Sequence, residues 1–554
     1  MNENGFSVVT AKGEKYEVSK DLRDKLVVLS NGTLLVNENY KIDADVLDRI
    51  TFFKNIVKDD GSWYTNQDLI KYVSAEEIRG YYDDNQKLTF IANTNIIQKK
   101  VIELISIAYA EKATDIHIVL QAPSTFIYFR VLGDLKLYKI YTFDDGNQWL
   151  TTIYNSMTAT SGTNYNPREQ QDANMGGEFL PDGLSGIRIA TGPTQAGNNF
   201  MVLRLLPTGH NTKIADLGYA KSHLRALRYC KAAHNGGLTL FCGPTGSGKS
   251  TTMQAFAKET LMESKGTINF LTIEDPVEYP ITVDDYIEVI EEIEEDIDGE
   301  KITREVPKTI KVTYSARQIA IPSVEDHEIK RELFRKTVVA AMRQDPDKIM
   351  IGEIRDSSTA DAAITASNTG HPVISSVHAR NSLMIVDRLI TIGADENLLL
   401  SPGMINGLIA QHLVPELCPK CKRLLKDHLN EFDQDFIERL ETAYQNYGGL
   451  ENIYVAGAGC DYYDKETNKS CIFGKIGRFV IAEIIIPDET FLQLMRDKRL
   501  LDAGIYWTDK LKGYTMMCHG MAKVKWGLLD PRDLEGKLKH ITPQANLDIA
   551  LLDR

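Results

Sequence analysis

No apolar run in these 554 residues approaches the ~18 needed to cross a bilayer, and the opening MNENGFSVVTAKGEKYEVSK lacks the apolar core of a secretory leader. A chain that stays in the cytoplasm is expected. Positive charge is in deficit as well. A net charge of −14 and a pI near 5.4 argue against a wide nucleic-acid face, although a local basic groove can persist inside an acidic protein. Cysteine is scarce: seven residues in so long a chain exclude a disulfide framework. Cys230, Cys242 and Cys518 stand alone and read as buried small hydrophobes, whereas Cys418, Cys421, Cys460 and Cys471 form a separate group. With 43% hydrophobic and 25% charged residues the composition is that of a soluble globular protein, and the length exceeds what one core can hold, so roughly three to four domains are expected.

Against these absences one stretch carries specific chemistry. Gly243-Pro244-Thr245-Gly246-Ser247-Gly248-Lys249-Ser250 matches G-x-x-x-x-G-K-S. The apolar Leu238-Thr239-Leu240-Phe241-Cys242 reads as a buried strand running into it, and Ser250 to Glu259 as the helix leaving it, the context a phosphate loop requires. Glycines let backbone N–H groups converge on phosphate oxygens without Cβ clashes, and the helix adds its positive N-terminal end. Lys249 is expected to reach the β- and γ-phosphates and Ser250 to ligate Mg²⁺, with the nucleotide-binding run extending through Thr251. A glycine-rich turn that matched by accident would lack the flanking strand and helix.

Around this loop the chain divides. Residues 1 to 88 mix short apolar patches with polar turns and read as a small α/β domain. Helical spacing from Asn95 to Ala110, then alternation in Asp115 to Val119 and Thr125 to Val131, predicts a second α+β domain over 96 to 207. A polar linker follows at Thr208 to Asp216, and the nucleotide domain runs from 217 to 415. Inside it lies an acidic insertion, 284 to 305, whose segment DDYIEVIEEIEEDIDGE carries ten acidic residues and no basic one. Periodic Ile and Val, a turn at Asp298-Gly299 and resumed alternation suggest a projecting β-hairpin; a solvated loop without a partner is the other reading. Residues 416 to 485 hold the four grouped cysteines, and 486 to 554 read as a C-terminal helical region.

Three further segments bear on the nucleotide. Leu271-Thr272-Ile273-Glu274-Asp275-Pro276-Val277-Glu278 is a short strand ending in carboxylates, which can order Mg²⁺ through water or polarise an attacking water. In Arg343-Gln344-Asp345-Pro346-Asp347-Lys348-Ile349-Met350-Ile351-Gly352-Glu353, a buried strand delivers Glu353 to the Walker B position, with Gly352 expected to permit close approach. Thr369 to His378 is again a strand ending in a polar group, and His378 can lie near the γ-phosphate or serve structure alone. In an open α/β sheet ligands bind outside the carboxyl ends of the strands, where all four segments converge.

In this order the motifs resemble those of the secretion ATPase superfamily of type II secretion systems and type IV pili. GPTGSGKST, TIEDPVE, RQDPDKIMIGEIRD and TGHPVISSVHA correspond to its Walker A, Asp box, Walker B and His box, and the resemblance covers roughly residues 96 to 485. It implies a homo-hexameric ring with a RecA-like motor domain, and Glu353 as the carboxylate that activates water. The preceding domain resembles the family's second N-terminal domain through Asp115-Ile116-His117-Ile118, Gln171-Asp172, Arg188-Ile189-Ala190 and Val202-Leu203-Arg204-Leu205-Leu206, where arginines at the positions of Arg188 and Arg204 approach nucleotide. From the residues alone each arginine is an exposed salt-bridge residue. Cys418-Pro419-Lys420-Cys421 with Cys460 and Cys471 can supply four thiolates to Zn²⁺, similar to the tetracysteine module of pilus-extension and type II secretion ATPases; four unliganded cysteines are the alternative. Where the family closes with a second C-x-x-C, here DYYDKETNKS separates the last two cysteines, which reads as an inserted hairpin. Two smaller departures, Gln411-His412-Leu413-Val414-Pro415 in place of a more basic stretch and Ser358 at a commonly acidic position, are expected to leave the core chemistry untouched.

The reading is thus a ring-forming, Mg²⁺-dependent ATPase driving assembly of a type IV pilus or type II secretion pseudopilus. The resemblance implies an inner-membrane platform protein and a cytoplasmic membrane-complex protein as partners, and peripheral association at the inner face of the inner membrane through them. A conjugation or DNA-uptake motor and a nucleotide-gated scaffold with little turnover are the competing readings. The acidic composition speaks against the first and Glu353 against the second.

Overall fold

The computed structural model describes the chain except residues 1–7, 11–13, 15, 42, 57–68, 74–77, 79–95, 159–163, 195–197, 209–211, 276, 278, 298–299, 323–326, 466 and 468. It divides into two compact units, Met1–Leu205 and Leu206–Arg554.

The first unit opens with a three-stranded sheet, Leu26–Val28, Leu34–Asn37 and Ile70–Val73, whose middle strand is antiparallel to the first and parallel to the last. Helix Ala44–Asn55 is started by Asp43, whose carboxylate accepts from the Val46 N–H at 3.2 Å, and buries Val46, Ile50 and Phe53 against Leu26, Val28, Leu34 and Val36. A six-stranded sheet follows, in spatial order Asp134–Thr142, Ser124–Val131, Ala113–Gln121, Asn199–Pro207, Leu184–Pro193, Gln171–Asn174. Along Ser124–Val131 every second side chain is buried, as the alternation in the sequence predicts. Helices Ile96–Ala110 and Phe143–Ser156 pack on each other and on strand Ala113–Gln121.

The second unit is built on a seven-stranded sheet in the order Arg317–Ala320, Phe270–Glu274, Lys348–Ile354, Val373–Val377, Leu238–Cys242, Ile405–Leu417, Lys475–Ile485. The first six run parallel and the last is antiparallel. Because both faces are covered, the central strands are apolar almost throughout, and the pleat sends alternate residues to opposite cores. Leu238, Leu240, Cys242, Leu271, Ile273, Ile349, Ile351, Val373 and Val377 enter one core, while Phe241, Phe270, Met350 and Ile374 enter the other. Helices Glu489–Arg496, Leu500–Asp509, Met516–Lys525, Pro531–Lys537 and Leu547–Leu552 add side chains to the first core, as expected of a C-terminal helical region.

Two features differ from the reading of the sequence. The boundary placed at 415/416 falls inside strand Ile405–Leu417, and Lys475–Ile485 returns to the same sheet, so the cysteine segment is an excursion between two neighbouring strands. The acidic hairpin is longer than residues 284 to 305. Its strands Thr282–Ile297 and Glu300–Ser315 pair from Thr282↔Ser315 to Ile297↔Glu300, and its expected turn, Asp298-Gly299, lies outside the described residues. Its acidic strand faces a basic one: Lys308 meets Glu291 at 2.9 Å and Lys311 meets Asp284 at 2.8 Å.

Candidate functional site

Strand Leu238–Cys242 leads into the phosphate loop and helix Lys249–Glu263 leaves it. Gly243, Gly246 and Gly248 take φ of +145°, +76° and +85°, conformations that side-chain-bearing residues rarely adopt, which is why this sequence folds as a tight, amide-lined loop. Gly248 is the helix N-cap and offers no side chain to the first-turn N–H groups, leaving them for an anion. Ser247 Oγ is buried and, among the described residues, without a hydrogen-bond partner. Lys249 Nζ folds onto the Gly243 and Pro244 carbonyls at 2.7 and 3.2 Å; burial lowers its pKa, opposed by the charge of Glu353. An orphaned hydroxyl, uncapped amides and a desolvated ammonium fit a polyphosphate. Ser250 and Thr251 stand in the helix's first turn, where Ser250 could hold Mg²⁺.

The other three motifs arrive at the carboxyl ends of neighbouring strands. Glu353, on the Walker B strand Lys348–Ile354, has its Oε1 2.8 Å from His378 Nε2 and accepts from Arg355 Nε at 2.9 Å through Oε2. The His378 imidazole therefore reaches the Walker B carboxylate directly. Ser376 Oγ on the His-box strand Val373–Val377 donates to the Gly352 carbonyl at 2.8 Å and ties the two strand ends together. A Cβ on Gly352 would meet the Ile273 carbonyl at 3.5 Å, an ordinary contact, so the close approach expected there is not required. Glu274 is buried, and its Oε1 accepts from Thr272 Oγ1 at 2.6 Å and Gln318 Nε2 at 2.9 Å; Asp275 pairs with Lys330 at 2.8 Å. Pro276 and Glu278 of this motif lie outside the described residues. Gln318 was not singled out in the sequence, since nothing local marks a glutamine of the edge strand as the partner of Glu274.

One expectation is overturned. Gln411, in the stretch expected to leave the core chemistry untouched, is fully buried beside the phosphate loop, and its Nε2 donates to the Ser247 carbonyl at 2.9 Å. Its Oε1 accepts from Tyr219 OH at 2.6 Å. Residue 411 abuts the loop because its strand runs parallel to the loop's own strand with Ala410 opposite Cys242. Ser358, the second departure, donates to Asp356 Oδ1 at 3.0 Å at the start of helix Ser357–Asn368.

In the first unit Arg204 Nε donates to Asp115 Oδ1 at 3.0 Å, and Arg130 lies 3.7 Å from the same carboxylate. Arg204 is half exposed and Asp115 buried, so here the arginine is the salt-bridge residue its sequence suggests. Arg188 sits in strand Leu184–Pro193, level with Asn174 of the edge strand.

The four cysteines converge. All four sulfurs lie within 4.8 Å of one another, with Cys418 Sγ to Cys460 Sγ and Cys421 Sγ to Cys471 Sγ both 3.7 Å. A tetrahedron with Zn–S bonds of ~2.3 Å has edges of about 3.8 Å, whereas a disulfide needs ~2.0 Å. All seven cysteines are free, and the group fits a tetrahedral metal. Burial and the neighbouring sulfurs push the Cys421 thiol up to about 12, a shift that a bound cation would reverse. The insertion before Cys471 forms a small hairpin, Tyr463–Asp464 paired with Lys469–Ser470, which carries the last sulfur back to the group.

The sequence profile described as Type II/IV secretion system protein matches residues 91–535. Type II secretion system ATPase E of Vibrio cholerae is 30% identical over 316 residues, 56% of this chain and 50% of that protein. Type IV pilus assembly ATPase TfpB of Acinetobacter baylyi is 28% identical over 412 residues, 74% of this chain and 60% of that protein. The chain thus spans about half the length of the first and three fifths of the second. The X-ray structure of the Legionella pneumophila ATPase DotB aligns with a TM-score of 0.50 at 20% identity, over 80% of this chain and 96% of DotB, a likeness of fold that places the chain among RecA-like α/β structures. With the profile extending over most of the chain and taking in the phosphate loop, Glu353, His378 and all four grouped cysteines, the chain belongs to the type II/IV secretion system protein family.

Proposed function

We propose that the chain is a Mg²⁺-dependent ATPase motor that works as a homo-hexamer to drive assembly of a type IV pilus or a type II secretion pseudopilus. The observation that carries this reading is the meeting, at the carboxyl ends of parallel strands, of an amide-lined phosphate loop with Lys249 and a Glu353 carboxylate held by His378 and Arg355. Lys249 and the loop amides bind the triphosphate and stabilise charge on the phosphoryl group in flight. Glu353 orients water for in-line attack. Its contact with His378 Nε2 holds the carboxylate in place at the strand end. Glu274, fixed by Thr272 and Gln318, faces the same end of the sheet as an outer carboxylate. Mg²⁺, held by Ser250, would supply charge neutralisation at the phosphate oxygens. Arg188 and Arg204 would add positive charge to nucleotide. Zn²⁺ on Cys418, Cys421, Cys460 and Cys471 would hold the excursion between the last two strands closed.

The names of the relatives support a secretion or pilus machine as the setting. Among the described residues no helix is long and apolar enough to cross a membrane. Placement at the inner face of the inner membrane would therefore rest on a platform protein and a cytoplasmic membrane-complex protein, the latter bound by the N-terminal region. Purified Lys249→Ala protein should lose ATP turnover, and Glu353→Gln protein should still bind ATP while losing hydrolysis. Turnover at the parent rate by Glu353→Gln protein would show that Glu353 does not orient the attacking water.

A further inference from the structure

The buried amide of Gln411 contacts the backbone of the phosphate loop, and no step of the proposed reaction uses its side chain. We infer that Gln411, held in turn by Tyr219, is a positioning residue that sets the Ser247–Gly248 peptide in the orientation required to bind phosphate.

The geometry leaves the amide one arrangement. The Ser247 carbonyl only accepts, so the group facing it at 2.9 Å must be Nε2, and Oε1 is left facing the Tyr219 hydroxyl at 2.6 Å. Tyr219 is itself buried, and its hydroxyl lies 3.4 Å from Thr252 Oγ1 on the helix that leaves the loop. In a trans peptide the C=O and the following N–H point in opposite directions. With the Ser247 carbonyl drawn to the fully buried Gln411, the Gly248 N–H is turned away from the buried side of the loop, as a donor to phosphate oxygen must be. The fit is close on that side: a Cβ on Gly248 would stand 3.3 Å from Gln411 Nε2 and from Leu413, and one on Gly243 would meet the Gln411 carbonyl at 2.3 Å.

The inference rests on the proposed nucleotide site, and its test uses ADP as the probe, with affinity read by calorimetry on the full chain. Gln411→Met keeps the length of the side chain but can neither donate to Ser247 nor accept from Tyr219. It should bind ADP about tenfold more weakly than the parent. Tyr219→Phe removes one hydroxyl and should weaken ADP about threefold, with no further loss when it is added to Gln411→Met. A residue that served only core stability would lower the melting temperature of the nucleotide-free chain and leave the ADP affinity of folded protein unchanged. Parent affinity in Gln411→Met overturns the inference. Should that variant fail to fold, parent affinity in Tyr219→Phe overturns it equally. A parent chain that binds no ADP would instead overturn the nucleotide site itself.

Discussion

Two histidines in the core of the second unit should make its stability fall steeply below neutral pH. His223, on helix Lys221–Lys231, and His519, on helix Met516–Lys525, are buried with ring centroids 4.7 Å apart, beside Tyr514 and Tyr219. Burial holds His223 down to about 3, against a smaller opposing pull from Asp553 and aided by Lys523. His519 is held well below its usual range by burial, His223 and Lys523, and its Nδ1 accepts the Ala482 N–H at 3.0 Å, a bond that protonation would forfeit. In the unfolded chain each imidazole titrates near ~6.5. Between those limits only the unfolded chain binds the protons, so stability is complete above about pH 6.5 and declines as pH falls, by ~1.4 kcal/mol per unit for His223 with His519 acting in the same direction. At pH 5 this amounts to about 2 kcal/mol for His223, with a further loss in the same direction from His519, against a typical domain stability of ~5–15 kcal/mol. Hydrogen exchange of helix Met516–Lys525, corrected for intrinsic rates, measures the opening free energy at pH 7.5, 6 and 5. His223→Gln should lower the plateau and make the decline between pH 6.5 and 5 shallower. Parallel slopes in parent and variant would refute the assignment.

The four-cysteine group should bind about one Zn²⁺ per chain, detectable by metal analysis; Cys471→Ser should cut metal retention and expose the remaining thiols to labelling, while parent protein without metal and with four freely reactive thiols would contradict the site. His378→Ala should leave ATP binding intact and lower turnover by up to about a hundredfold, measured by steady-state hydrolysis; an unchanged rate would make the 2.8 Å contact with Glu353 purely structural. If Arg188 or Arg204 acts across a subunit boundary, mixed rings of Glu353→Gln protein with Arg204→Ala or Arg188→Ala protein should regain activity that neither parent variant has. No recovery in verified mixed rings would reject the trans role for the arginine tested.

The parts of this protein that the sequence alone determines are those whose chemistry is local. Positive φ at Gly243, Gly246 and Gly248 is demanded by a loop of converging amides, and the strand before and helix after it follow from hydrophobic runs read in place. Glu353 and His378 were legible because a polar residue ending a buried parallel strand has to emerge at the ligand edge of the sheet. The cysteines were legible as one group through C-x-x-C spacing, and the hairpin between Cys460 and Cys471 through the departure from the family's second C-x-x-C.

Strand order decided the rest. The hydrogen bond from Gln411 to Ser247 joins residues 164 positions apart, and that from Tyr219 to Gln411 joins residues 192 apart. Gln318 reaches Glu274 only because Arg317–Ala320 adds itself to the edge of the sheet beside Phe270–Glu274. Lys475–Ile485 reads in sequence as part of the cysteine module and in three dimensions closes the seven-stranded sheet, antiparallel to the strand that carries Gln411. A side chain's local pattern reports which face it occupies and what chemistry it can offer. Which partner it meets is set by the packing of segments distant along the chain, where burial makes each unpaired polar atom costly and so selects the pairings that satisfy it.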